Sequence, residues 1–504
     1  MFYIKLNRQE YSYDVHSLVK AFFPEETVKV LLYETEPSED ESVVSEEALA
    51  IRIQIDANED AFFTSYVQMM EHGAKQILAK PVFESKYQAI ESDQNPASTR
   101  KQDFSRFLYR CLCEVTGKEL PWGNLTGIRP TKIVMGLLEQ GKSRDEIYAA
   151  MKESHMVSEE KIALSIDIAG RERELLARLH GTDGYSLYIG IPFCPTTCLY
   201  CSFTSYPIAA HRDRVETYID CLIKEMHLTS ELMRDKVLDT VYIGGGTPTT
   251  LEPDQLARII DSLKEIFDFS TVQEFTVEAG RADSITEEKL KVLYEKGVSR
   301  ISVNPQTMNE ETLKFIGRRA SAAATVEAYR LARKVGFDNI NMDIILGLPG
   351  ETDVDVTETI KKIGKLSPDS LTVHSLAVKR ASKLRQFIEE HGVEILHNGD
   401  VTMEIAAKGA KEMGMHPYYL YRQKNMTGNL ENVGFAKDGK YGIYNILIME
   451  EIQSIVALGA GSISKNVLPG GRIERCDNVK DVELYIDQIE EMLERKRQLY
   501  RTGE

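Results

Sequence analysis

From Ser186 to about Leu376, short apolar runs alternate with amphipathic stretches. The apolar runs are Ser186–Ile191, Thr240–Ile243, Glu274–Glu278, Arg300–Val303, Asn341–Leu346 and Leu371–Ser375. Helical periodicity fills the gaps between them, as in Arg212–Met233 and Ser321–Val335. Short strands separated by helices predict parallel βαβ units, so this span is read as α/β. Six strands are fewer than a closed eight-fold barrel has. Periodicity leaves a partial barrel and an open doubly wound sheet equally open.

The flanks read differently. Residues 1–180 begin with strand-like and helix-like pieces at Phe2–Leu6, Val28–Tyr33 and Ala50–Ile55. The acidic run Glu34–Glu47 reads as a solvated loop. Helical patterns follow at Ala61–Leu78 and Asp103–Val115. Pro121–Lys132 holds the one Trp of the chain, and Pro130 is placed to open a helix at its first turn. This region is expected to be an α+β domain. Residues 181–400 form the core, and residues 401–504 a mixed C-terminal cap. The last part contains a helix at Asp400–Glu412, the tyrosine-rich Tyr418–Asn425 and an amphipathic helix at Asp481–Leu499.

Bulk composition narrows the class. The chain has 504 residues, 42% hydrophobic and 28% charged, with a formal net charge of −17. These values fit a globular protein and argue against a broad nucleic-acid or anionic-membrane surface. The uncharged stretch from Gly184 to Ala210 contains Pro192, Pro195 and Pro207, which argue against a spanning helix. No secretory signal is read at the start, and seven cysteines is an odd number. A reducing cytoplasm without a disulfide framework is therefore expected. Cys111, Cys113, Cys221 and Cys476 read as buried or neutral thiols.

The remaining three cysteines carry the chemistry. Cys194, Cys198 and Cys201 form a C-x3-C-x2-C run just after the first core strand. Three soft thiolates within eight residues suit one iron–sulfur cluster or one zinc ion. Zinc needs a fourth ligand, and His211 is not at a finger spacing. A cluster with one iron left open is the sharper reading. Gly244-Gly-Gly-Thr-Pro248 follows the second strand; its three glycines leave backbone groups bare for a small ligand. The motif is neither a P-loop nor a dinucleotide fingerprint. Glu278, Gln306, Arg318 and Asp343 lie at or beyond strand ends, where parallel α/β sheets bind ligands.

Tyr188–Phe203, Gly244–Pro248, Gln306 with Arg318, and Asp343–Gly350 resemble the radical S-adenosylmethionine enzymes. More closely they resemble the oxygen-independent coproporphyrinogen III oxidase group. Tyr418–Asn425, Gly428–Gly434 and Gly127–Lys132 resemble its long Firmicutes-type coproporphyrinogen dehydrogenase branch. The resemblance implies a partial (β/α)6 parallel barrel of the radical-SAM type. It implies that Cys194, Cys198 and Cys201 hold a 4Fe–4S cluster whose fourth iron binds S-adenosyl-L-methionine. It assigns Gly244, Gly245, Gly246, Thr247 and Pro248 to the methionine end of that cofactor. Glu278, Gln306, Arg318 and Asp343 would contact the rest, with Tyr188 nearby.

The implied activity is oxygen-independent oxidative decarboxylation of coproporphyrinogen III to protoporphyrinogen IX in haem biosynthesis. Reduced flavodoxin or ferredoxin would donate electrons, and a monomer is favoured. Arg422, Lys424 and Arg129 are candidate partners for substrate carboxylates. Tyr418, Tyr419 and Tyr421 read as a half-buried strand edge rather than a macrocycle platform. The chain departs from the oxidases at three positions: Phe203 replaces a further cysteine, Gly190 a usual histidine, and Ala320 the histidine of Gly-Arg-x-His. Rival readings of the same resemblance are a haem-binding chaperone and another radical enzyme acting on a tetrapyrrole.

Overall fold

A computed structural model describes residues 2–6, 8–24, 26–32, 56–57, 62–66, 82–86, 96–127, 129–377, 382–391, 396, 398–422 and 430–501. The chain divides into two compact units, one within Met1–Ile166 and one built from Asp167–Arg422 and Leu430–Glu504.

In the first unit, strands Phe2–Leu6 and Val28–Leu32 pair in parallel, with the helix Ser12–Phe22 between them. Val15, Leu18, Val19 and Phe22 recur at helical spacing and bury one face of that helix. They pack with Ile4, Leu6, Phe104, Leu108 and Leu112, the last three from the helix Pro96–Thr116. The helix Arg144–His155 starts at a capping box, Ser143 and Glu146 satisfying each other's backbone amides. The helix expected at Ala61–Leu78 is not what forms at its start. Phe62–Tyr66 is a strand, paired antiparallel with Val82–Lys86. Aromatic and β-branched residues in Phe-Phe-Thr-Ser-Tyr favour a pleated surface, and pairing outweighs a short apparent helical period. Residues 67–81, Ala50–Ile55 and the acidic run lie outside the described residues.

The second unit is built on one sheet, eleven-stranded among the described residues. In chain order its strands are β1 (Gly184–Ile191), β2 (Val237–Gly245), β3 (Glu274–Gly280), β4 (Arg300–Val303), β5 (Ile340–Leu346), β6 (Ser370–Ser375), β7 (His416–Tyr421), β8 (Asn432–Ala436), β9 (Ser454–Leu458), β10 (Ile463–Val467) and β11 (Ile473–Asp477). The spatial order is β7-β8-β6-β5-β4-β3-β2-β1-β9-β10-β11. Strands β1 to β6 are parallel, each beside its successor. A doubly wound sheet reverses its strand order at a switch point; this run does not. Five helices connect the six strands in turn: α1 (Val215–Leu232), α2 (Pro253–Ile266), α3 (Glu287–Glu295), α4 (Ala322–Val335) and α5 (Asp353–Leu366), with a further short helix at Glu310–Phe315 before α4. The strands after residue 400 extend the same sheet: β8 pairs antiparallel with β6, and β9 parallel with β1.

The sheet curls. The eight-residue helix Ile443–Glu450 touches both β2 and β7. Those strands stand six positions apart, roughly 28 Å in a flat sheet, whereas such a helix is about 12 Å long. The sheet therefore wraps around the helix as an open barrel wall. Glu274 on β3 accepts the Ile443 amide at 2.5 Å and the Tyr444 amide at 3.4 Å. A carboxylate there satisfies orphan N–H groups and suits the positive end of the helix.

Alternation explains what the wall presents inward. Side chains of a strand alternate between faces. One face carries Leu187, Ile189, Val241, Ile243, Phe275, Val277, Ile301, Met342 and Val373, all buried. The other carries polar groups in contact with one another. Thr240 donates to Ser186 at 2.8 Å, Arg300 to Ser370 at 2.9 Å, Ser370 to Asn341 at 2.9 Å and Asn341 to Asp343 at 2.6 Å. Buried polar groups need such partners, so the polar face is a connected network rather than scattered side chains.

Candidate active site at the strand ends

The cysteine loop follows β1. Phe193–Cys194 pairs in parallel with Tyr206–Pro207, which brings the two ends of the loop together. Leu199 N–H donates to Ile316 O at 3.0 Å, and Thr196 Oγ1 to Gly317 O at 3.1 Å. The loop is thus fastened to the segment that carries Arg318. All seven cysteines are free thiols. Cys194 Sγ lies 3.3 Å from Thr247 Oγ1. Burial pushes the Cys194 thiol up to about 11, against the pull of Thr247. Burial also raises the Cys201 thiol. Thiols held protonated in this way give up their protons to a bound metal.

The glycine turn is pressed against this loop. Gly246 N–H donates to Ile191 O and Thr247 N–H to Phe193 O, both at 2.7 Å. A Cβ on Gly246 would stand 2.6 Å from Phe193 O, and one on Gly244 2.7 Å from Tyr242 Cε1. Gly245 has φ +106°, a conformation that side chains disfavour. Below the turn, Tyr188 stacks on Tyr242 and on Tyr444, with centroids 6.1 and 6.2 Å apart. Tyr242 and Tyr444 stack at 4.5 Å. Tyr242 donates to Glu278 Oε1 at 2.5 Å.

The strand-end residues gather at the same side. Gln306 has φ +66°, rare for a side chain without special need. Its amide donates to Asp343 O, and its carbonyl accepts from Ile345 N–H, both at 2.9 Å. That bridge carries the β4 exit onto β5. Arg318 donates to Asn304 O at 2.6 Å and to Tyr200 Oη at 3.1 Å. His374 Nε2 lies 3.9 Å from Asp343 Oδ2, an ion-pair rather than a hydrogen-bond distance.

The two carboxyl groups are driven apart. Burial, aided by Asp343, pushes Glu278 up to about 7, while Tyr242 and the Gly245 amide pull it down. Asp343 is held below the usual range: burial opposes this, but His374, Asn341 and Thr372 outweigh it.

Several contributors went unread in the sequence. Arg281, just past β3, donates from Nε and Nη2 to Asp283 at 2.9 and 2.6 Å. It also reaches Thr196 and Cys198. Tyr242 and His374 were findable, because each falls on the polar period of its strand. Tyr444 arrives from far along the chain and had no local signal.

Other expectations fall elsewhere. Tyr418 and Tyr419 on the edge strand β7 are buried with Ile446 and Ala436. Arg422 is 5% exposed and faces Glu431; burial lowers it to about 10. Lys424 lies outside the described residues, and Arg129 belongs to the first unit. Phe203 is 70% exposed. A Cβ on Gly190 would meet Leu458 O at 3.1 Å, so a histidine there needs β9 to give way.

The donor set fits a cluster and a small cofactor. Ser302 Oγ, Asn304 Oδ1 and Arg318 Nε are buried without a hydrogen-bond partner. Unmet polar groups on and just beyond β4 are what a polar ligand would satisfy. Among the described residues, no three His, Cys, Asp or Glu side chains converge on a single ion. Thiolates that each bind a separate iron of a cluster need not converge.

Residues 188–363 match the model of the Radical SAM superfamily. The chain is 41% identical over 416 residues to the oxygen-independent coproporphyrinogen-III oxidase-like protein HemZ of Bacillus subtilis, covering 80% of this chain and 83% of that one. It is 32% identical over 309 residues to the heme chaperone HemW of Bacillus subtilis, covering 61% and 76%. The solved structure of the Escherichia coli coproporphyrinogen III oxidase HemN superposes with a TM-score of 0.49 at 22% identity, over 64% of this chain and 72% of that one. The chain belongs to the radical S-adenosylmethionine superfamily, in its oxygen-independent coproporphyrinogen III oxidase-like group. No helix among the described residues is long and apolar enough to cross a membrane.

Proposed function

We propose that this protein has a haem-related radical S-adenosylmethionine activity, the oxygen-independent decarboxylation of coproporphyrinogen III to protoporphyrinogen IX. In each of two rounds a propionate would give a hydrogen atom to the 5′-deoxyadenosyl radical, release carbon dioxide and pass one electron to an external one-electron acceptor, leaving a vinyl group. The observation that carries this reading is a loop of three free thiols fastened to the glycine turn through Cys194 and Thr247 and to the Arg318 segment through Thr196 and Gly317. The 41% identical relative supports the tetrapyrrole substrate by its name.

Cys194, Cys198 and Cys201 would hold a 4Fe–4S cluster. Gly244, Gly245, Gly246, Thr247 and Pro248 would receive the methionine end of S-adenosylmethionine. Glu278, Gln306, Arg318 and Asp343 would receive the remainder, above Tyr188. Together the two groups, when bound, would supply a 5′-deoxyadenosyl radical able to take hydrogen from the propionate carbon next to the pyrrole ring. The chain's own task is positioning and exclusion of water. Its three stacked tyrosines fill the wall beneath the turn. Asp343, held below the usual range, would offer a charged acceptor, and Glu278, pushed up to about 7, a carboxyl that can keep its proton.

The test is anaerobic. The reconstituted protein receives dithionite and S-adenosylmethionine, with and without coproporphyrinogen III. The proposal predicts substrate-dependent 5′-deoxyadenosine together with mono- and di-decarboxylated porphyrins by mass spectrometry. Slow cleavage with the tetrapyrrole returned unchanged would overturn it. Tight haem binding without turnover would then identify the chaperone reading that the HemW relative suggests.

A further inference from the structure

Each thiol of the cysteine loop has a different neighbour. Cys194 faces a neutral hydroxyl, Thr247, at 3.3 Å. Cys201 is approached by the Phe203 backbone and Ser205, and feels the Arg318 charge without a hydrogen bond from it. Cys198 alone among them receives a hydrogen bond from a full positive charge: Arg281 Nη1 lies 3.6 Å from its sulfur. Arg281 is 4% exposed and held from two sides. Asp283 accepts from Nε and Nη2, and Thr196 accepts from Nη1 through both its carbonyl and its hydroxyl at 2.9 Å. These contacts already fasten the loop to the end of β3. Nη1 has two hydrogens for three acceptors, so the Cys198 sulfur shares one with Thr196 and sits beside the full guanidinium charge.

We propose that Arg281 is a positioning residue that tunes the redox centre, its guanidinium neutralising the Cys198 thiolate and making the cluster easier to reduce. The inference rests on the reading of Cys194, Cys198 and Cys201 as cluster ligands. Reduction adds one negative charge to a centre already surrounded by thiolates. Hydrogen bonds and positive charge at a ligand sulfur stabilise the reduced form more than the oxidised form. Burial strengthens the effect, because little solvent screens the pair. Asp283 opposes it, since its carboxylate offsets part of the guanidinium charge. Arg318, the other guanidinium at the loop, donates to Asn304 and Tyr200 rather than to a thiol. The arrangement therefore makes opposite predictions for Arg281 and Asp283, which a purely structural clamp does not.

The experiment uses the full chain, reconstituted anaerobically, with iron and sulfide measured first. The cluster midpoint is then titrated by EPR without S-adenosylmethionine for wild type, Arg281→Gln, Arg281→Lys and Asp283→Asn. Arg281→Gln is expected to make reduction about tenfold less favourable, about 59 mV for one electron. Arg281→Lys keeps the charge and should stay near wild type. Asp283→Asn should shift the midpoint upward. An unchanged midpoint in iron-replete Arg281→Gln, or a downward shift in Asp283→Asn, would overturn the proposal. Should Arg281→Gln fail to hold iron, Asp283→Asn decides alone: an upward shift supports the proposal and any other result overturns it. Wild type that assembles no cluster overturns the cluster reading, and this inference with it.

Discussion

Tyr242 on β2 donates a 2.5 Å hydrogen bond from its phenol to Glu278 Oε1 on the neighbouring strand β3. Glu278 nevertheless holds its proton up to about 7, because burial and Asp343 outweigh that bond. The folded state therefore binds the proton more tightly than the unfolded chain. The associated stability is complete below the ordinary value of 4.5 and is lost as pH rises through about 7. Glu278→Gln, neutral throughout, should equal wild type in acid and exceed it by about 3 kcal/mol near pH 8. Urea midpoints at the two pH values, without added cofactor, measure this. A gap of equal size at both would exclude titration of Glu278 as its cause.

Glu225 on α1 and Lys496 near the C-terminus form a buried ion pair at 2.5 Å. Glu225 also accepts from the Gly459 amide, Asn478 and Tyr485, so it fixes the turn after β9. Lys496→Met should cost about 3–5 kcal/mol, because it strands a buried carboxylate. The double variant with Glu225→Gln should recover part of the loss. Thermal and urea unfolding of Lys496→Met, Glu225→Gln and the double variant test the coupling; strictly additive losses would contradict it.

Gly246→Ala would drive a methyl group against Phe193 O and Ile191 O. The glycine turn and cysteine loop would have to separate, and cluster iron and cofactor affinity should both fall. Gly364 lies in α5 with open space around its Cβ position. Gly364→Ala should stabilise the protein by up to about 1 kcal/mol and leave iron content unchanged. Equal iron content in the two variants would argue against the turn as a support for the loop.

Replacing Cys194, Cys198 or Cys201 by Ala should each reduce bound iron to about a tenth or less if, as proposed, each thiolate holds its own iron. Cys111→Ala, Cys221→Ala and Cys476→Ala should retain it. Iron and sulfide assay, with the visible absorption of the cluster, separates the two groups. Loss of iron in Cys221→Ala would place a ligand outside the motif.

Sequence periodicity was enough for the six parallel strands and their helices, because buried strands and amphipathic helices write different periods into the chain. The C-x3-C-x2-C spacing and the glycine turn were legible for a related reason. They are local, and their chemistry depends on residue type at close spacing. Phe62–Tyr66 misled because a short apolar run fits either period, and its pairing partner lies further along the chain. Tertiary structure alone decided the rest. The sheet curls around the helix Ile443–Glu450, which brings Tyr444 onto Tyr188 and Tyr242. The guanidinium at Cys198 comes from Arg281, far along the sequence. The buried charge at Glu225 is met by Lys496 from the far end of the chain. Such pairings are set by where strands and loops end in space, and no local pattern of residues encodes that.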